Sequence, residues 1–384
     1  MANKFHNQLD KVLPEQLVLE DTVKQRILHQ AQLRLESETT LKRPTMKPLM
    51  TAAAFVFVAG VLVVPYVQQE QQEQAFQEAV SKETIQKVIV PNVTYPDLIN
   101  SIYVEENNEI IYTDGRGIYS YSIDNQKETV LVMPSENIEF SSVTLSANEN
   151  WVIWGTSEIH ILNRITGKEH VLLEDSMSVQ LIGHQILYSG FSDMPVYYLY
   201  DLETNQKMKL HDVKENDSDF TNVQNGRVAV VEELGGGTGA SVHVSIYNLE
   251  SRKIWQTYTV PYESVSYLTL GDDRIYAQFS SNGSDYALGY LDLATGKVHI
   301  LDVPENSDYA IYDDYLALSV TKGESDTVKL FHLKEDTAEP IKILNGVGER
   351  LVNPRFNEFG KLIVNGEGHN TPLYIVDTKQ LKNN

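Results

Sequence analysis

The chain has 384 residues, with 31 Lys and Arg against 53 Asp and Glu, a net charge of −22. That surplus of carboxylates excludes a general nucleic-acid binder, because phosphate contacts need a basic face. Cysteine is absent, which excludes thiol catalysis, thiolate zinc sites and disulfide stapling. The 42% apolar content is that of a globular chain, and 21 tyrosines suggest many half-buried strand positions.

Residues 1–47 are too few to bury a core of their own. Phe5, Leu9 and Leu13 nevertheless lie at helical spacing, and Pro14 ends that run. Thr22 and Gln25 form a capping box. Val23, Ile27, Ala31 and Leu35 then repeat every four residues, with Leu28 beside them. Two short amphipathic helices without a core predict a docking element, with Val23, Ile27, Leu28 and Ala31 as its partner-binding face. The same pattern also suits a solvated or membrane-skimming leader.

Residues 48–67 carry no charge. Twenty residues of helix cover about 30 Å, the thickness of a bilayer's hydrocarbon layer. Lys42, Arg43 and Lys47 crowd one end, and a Gln- and Glu-rich segment follows the other. The long preceding segment, and the lack of a clean small-residue cleavage site, favour an uncleaved anchor over a signal peptide. The positive-inside rule then predicts residues 1–47 in the cytoplasm and the remainder outside, in a single-pass membrane protein contacting lipid through 48–67. The charge divides accordingly. Residues 1–47 hold 8 basic and 6 acidic side chains, and the remainder holds 23 and 47, a net −24.

The pattern of Leu9, Asp10, Leu13, Pro14, Glu15, Gln16, Leu17, Val23, Lys24 and Ile27, followed by a basic stop and one span, resembles the N-termini of transmembrane anti-sigma regulators of Gram-positive bacteria. That resemblance covers about 60 residues and implies a cytoplasmic sigma factor as partner. The His/Cys zinc motif of one anti-sigma class is missing. Residues 68–84 are expected to form a polar helical stalk, with Pro65 kinking its start.

Beyond the stalk a unit recurs: an apolar strand, a turn, an alternating strand, a tight turn and another strand. The alternating strand appears at 118–125, 159–167, 196–205, 244–250, 288–296, 328–333 and 372–377. Taking Asp124, Asn163, Asp201, Asn248, Asp292, His332 and Asp377 as equivalent gives a period of about 42 residues, the length of a four-stranded propeller blade. Asp114-Gly115 and Asn282-Gly283 read as hairpin turns, and Lys322-Gly323 as a weaker one. Helical periodicity is missing from 88–384. The predicted fold is therefore all-β, a seven-bladed β-propeller over 85–384, with six or eight blades open because the spacing varies from 38 to 47 residues. The last unit ends with little chain left for an outer strand. Residues near 85–90 match that strand's pattern and are predicted to complete the last blade, removing an exposed edge. The stretch 109–124 is similar to the TolB-like and YWTD-like bacterial propellers, although Ile111-Tyr112-Thr113-Asp114 lacks the Trp of the second family. This resemblance implies a fold and no specific activity.

Signals for chemistry are thin. The glycine run at 235–239 lacks the Lys-Ser/Thr and helix of a phosphate loop and reads as a hairpin loop. His160, His170, His184, His211, His243, His299, His332 and His369 have no zinc-ligand spacing. The pairs Asp217/Asp219, Asp272/Asp273 and Asp313/Asp314 match no calcium loop and read as solvated turns. Trp151, Trp154 and Trp255 are expected in the blade core. No catalytic, cofactor-binding or metal residues are assigned, and the chain is read as a non-enzyme. The expected function is an extracytoplasmic propeller that binds or senses a protein, peptide or wall-related ligand and signals inward in an anti-sigma-like way. The alternatives are a passive extracytoplasmic scaffold or assembly factor and, less favoured, an enzyme with a site in the propeller funnel.

Overall fold

The computed structural model describes residues 84–134, 144–155, 158–172, 176–190, 196–214, 218–234, 240–282, 285–320, 327–367 and 371–381, with Gln74, Phe76 and Glu78 before them. The chain divides into two units, Met1–Ala75 and Phe76–Asn384. Val23, Ile27, Leu28, Ala31 and the apolar segment 48–67 lie outside the described residues, as do the 235–239 loop and Lys322-Gly323. Among the described residues no helix is long and apolar enough to cross a membrane.

The second unit is a propeller of seven four-stranded antiparallel sheets, which settles the blade count. Blades 1 to 6 run in chain order, each from inner to outer strand, beginning at Ile102, Thr144, Ser176, Ser218, Ser264 and Asn306. Blade 7 takes its three inner strands, Arg350–Phe356, Lys361–Glu367 and Leu373–Asp377, from the C-terminus. Its outer strand is Ile85–Val88, paired so that Ile85 opposes Val376 and Val88 opposes Leu373. The predicted closure by residues near 85–90 is thus present. Phe76, in the preceding segment, is itself buried against Tyr374 with ring centroids 6.1 Å apart.

The apolar runs in the sequence are the second strands, and their composition follows from where they sit. Both faces of a second strand are covered by neighbouring blades, so successive side chains all enter a core. Tyr315–Val320 is buried at all six positions. Ile110 and Tyr112 pack toward blade 7 while Ile111 between them packs toward blade 2. Outer strands lack a neighbour on one edge, and Lys253–Val260 is mostly exposed. Seven apolar clusters result, one at each blade-to-blade junction, including the junction of blades 7 and 1 that seals the ring.

The repeat signal has a local cause. Asn163, Asp201, Asn248, Asp292 and Asp377 end third strands, and each side-chain oxygen accepts backbone N–H groups of the following turn, as in Thr204 N to Asp201 Oδ1 at 2.8 Å. A short polar side chain that caps its own turn suits this position. A left-handed residue lies in this turn in six blades, Gln126, Gly167, Asn205, Arg252, Gly296 and Glu335, with φ between +51 and +69. Blade 1 corrects the sequence alignment. Register places Ser122 opposite Glu109, as Asn163 stands opposite Trp151, so Ser122 and not Asp124 is the equivalent residue. Two further expectations are corrected. Trp154 is core at 1% exposure and Trp151 is half-buried, but Trp255 lies on an outer strand, 51% exposed, with Arg227 over its ring. Asp219 belongs to an inner strand, Ser218–Phe220, rather than to a turn.

Candidate binding surfaces of the propeller

Inner strands line the axis, and the residues they present there are largely polar. A recess of about 240 Å³ is walled by Thr144, Gln180, Asp219 and Thr221 from three successive blades. Gln180 Oε1 is buried there without a hydrogen-bond partner among the described residues. Asp219 of blade 4 and Asp308 of blade 6 occupy matching positions, each accepting the N–H of the next residue at 2.8 Å. The surrounding protein mass, which desolvates a carboxylate, pushes both carboxyls above their ordinary value. Arg355 of blade 7 has the opposite problem. Burial lowers its guanidinium to about 10. Its described partners are neutral: Ser101 O at 2.9 Å, Ser101 Oγ at 2.6 Å, Asn353 O at 3.1 Å and Asn365 Oδ1 at 2.5 Å. These bonds tie blade 7 to the start of blade 1.

A larger cleft, about 520 Å³, opens between blades 2 and 3 on the face that carries the turns from first to second and from third to outer strands. Glu149, Trp151, Ile165, His184, Leu202 and Glu203 contribute to its lining. Ile165 is 77% exposed at its lip. The inner edge of this face is acidic. Asp272, Asp273, Asp313 and Asp314 sit in the turns of blades 5 and 6 that sequence reading placed them in. The Glu358 carboxyl, in the matching turn of blade 7, is pushed up by burial and further by Glu106 and Glu149.

The described histidines are held by neighbouring side chains. His160 stacks on Trp154 at 5.1 Å and contacts Glu169 at 3.0 Å. The most enclosed is His211 in the outer strand of blade 3. It spans to blade 4, with Nδ1 2.6 Å from Tyr247 Oη and Nε2 3.0 Å from Glu232 Oε2. Glu232 Oε1 in turn accepts Lys214 N at 2.7 Å. Burial, then Glu232, push the Tyr247 hydroxyl up to about 12. This Tyr–His–Glu chain fits an acid–base relay in chemical type, but at 9% and 1% exposure for His211 and Glu232 it braces two blades instead of facing a substrate. Among the described residues no three His, Asp or Glu side chains gather as metal ligands. The two recesses present concave surfaces that are part polar and part apolar.

No protein-family model matches the chain, and no curated protein does. Solved structures do. The WD40 repeats of RRP9 align with a TM-score of 0.52 and 12% identity, covering 76% of this chain and 99% of that one. A chain of the mitotic checkpoint complex gives 0.50 and 11%, covering 76% and 91%. The β-propeller domain of the trilobed protease from Pyrococcus furiosus gives 0.46 and 16%, covering 61% and 81%. At these identities the likeness to the first two shows the propeller fold alone. Sequence reading left the cleft and the axial residues unassigned. The axial residues' prior signal was polarity at inner-strand positions, which is indistinguishable from a solvated turn until the register is known.

Proposed function

We propose that this protein is a single-pass membrane protein whose outer propeller is a binding or sensing domain and whose residues 1–47 hold a cytoplasmic regulator, in the manner of an anti-sigma factor. The observation that carries the reading is the chain order. An uncharged stretch at 48–67 with a basic flank on one side is followed, within about twenty residues, by the strand that closes the propeller ring. Binding at the propeller is thereby linked covalently, through its closing strand, to the segment that would cross the bilayer. Concave recesses on one face and along the axis support recognition over catalysis.

The partner-binding face is Val23, Ile27, Leu28 and Ala31, and the expected partner is a sigma factor. A pulldown of the full chain from membranes tests this against the variant Ile27→Asp/Leu28→Asp. Recovery of a sigma factor with the parent and its loss with the variant sustain the proposal. Recovery of nothing cytoplasmic with either leaves the outer domain as a scaffold without inward signalling. Protease protection of residues 1–47 in sealed right-side-out vesicles tests the orientation separately.

A further inference from the structure

The turn between the third and outer strands has a fixed polarity in most blades. After the capping residue comes an inward side chain: Ile123, Leu202, Leu249, Leu293 and Thr378, half-buried in blade 1 and buried in the others. Next comes an outward one: Asp124, Glu203, Glu250, Ala294 and Lys379, all exposed. Blade 2 reverses both. Arg164 takes the inward place with its side chain 12% exposed, and Ile165 takes the outward place at 77%.

The reversal is held in place by built contacts. Arg164 Nη2 meets Glu109 Oε1 at 2.5 Å, and Arg164 Nη1 donates to Asn148 O at 2.8 Å. Glu109, 7% exposed, also accepts from Asn107 Nδ2 at 3.0 Å and from Ser120 Oγ. An ion pair buried where most sister blades place an aliphatic group is not the arrangement that stability favours. A local departure from an otherwise repeated rule is where function is expected. Its visible consequence is an isoleucine presented to solvent at the lip of the cleft between blades 2 and 3.

We propose that this cleft docks an extended protein segment carrying an aliphatic side chain flanked by lysine or arginine. Ile165 and half-buried Trp151 supply the apolar surface for the aliphatic group, and buried Leu202 borders the same cleft. Glu149 and Glu203 also line the cleft and supply carboxylates to receive the cations, and Arg164, next to Ile165 in the chain, is already neutralised by Glu109. Opposite charge at the rim with an apolar anchor between is how such segments gain both rate and register. The inference rests on the reading of the outer domain as a binding module and names its partner class. It does not involve residues 1–47, so its failure is distinguishable from failure of the cytoplasmic proposal.

The test uses the full chain in nanodiscs of zwitterionic lipid and a fluorescein-labelled peptide with one leucine between two arginines in a Gly-Ser frame. Fluorescence anisotropy is expected to report saturable binding, weakened at least tenfold by Ile165→Ser and by Glu203→Gln. Ile300→Ser, at another exposed isoleucine (46%) on the outer strand of blade 5, is expected to leave it unchanged. Peptides with glutamate for arginine, or glycine for leucine, are expected not to bind. The proposal is overturned if the arginine peptide does not bind by 1 mM. It is equally overturned if Ile165→Ser binds like the parent, or if Ile300→Ser loses as much, since the attraction would then be the general pull of an acidic molecule.

Discussion

Replacing Ile85 with alanine probes how much the closing strand contributes to the ring. Ile85 is 1% exposed and packs in the junction of blades 6 and 7 with Leu362, Tyr374 and Val376. A buried Ile→Ala change costs about 2–5 kcal/mol, from lost transfer energy plus the cavity that remains. Domain stabilities are about 5–15 kcal/mol, so a value near 3 removes a large share. It also corresponds to about two decades in the unfolding equilibrium. Gln86, the next residue on the same strand, is half-buried and outside the apolar cluster. Gln86→Ala should stay within about 0.5 kcal/mol. Urea unfolding of the full chain in detergent, followed by far-UV circular dichroism, compares the two. If Ile85→Ala shifts the midpoint no more than Gln86→Ala, the closing strand adds nothing to stability and the argument from ring closure fails.

Three other outcomes are expected. His211→Ala strips a hydrogen-bond partner from buried Glu232 and from Tyr247, and should cost about 1–3 kcal/mol, read as a fall in melting temperature; no measurable loss would mean that the bridge between blades 3 and 4 carries no weight. Asp308 keeps its proton to higher pH when folded than when unfolded, so stability falls as pH rises from the unfolded value, about 4, through the raised folded value. Asp308→Asn should therefore raise the melting temperature at pH 7 and leave it unchanged at pH 3, and an equal effect at both would contradict the assigned cause. Gly360 has φ +81, and a Cβ there would come within 2.4 Å of the Tyr312 ring, so Gly360→Ala should destabilise by at least about 1 kcal/mol; a neutral urea midpoint would refute it.

Much of the fold was legible because its signals are short-range. Alternation along a third strand, an Asn or Asp that caps its own turn, and a left-handed residue after it are all settled within about six residues. Repeating that unit at about 42 residues leaves a propeller ring as the arrangement that covers both faces of every second strand, and the seven sheets then settle a count the sequence left open by one. Even closure could be read, because a missing outer strand at one end and an orphan strand at the other need each other.

The candidate site is different in kind. Glu109 lies 55 residues before Arg164, and nothing local announces that they meet. His211 finds Glu232 and Tyr247 only across a blade junction. Asp219 and Thr144 share an axial recess because inner strands of neighbouring blades converge there, although the chain around Asp219 reads as a solvated turn. The sequence by itself determined the strand pattern, the repeat and the charge division, since these depend on chain-local propensity and composition. Only the tertiary structure decided which side chains turn to the axis, which charges are neutralised, and that one blade turns an isoleucine outward. Those outcomes depend on distances between residues far apart in the chain, which exist only once the ring is closed.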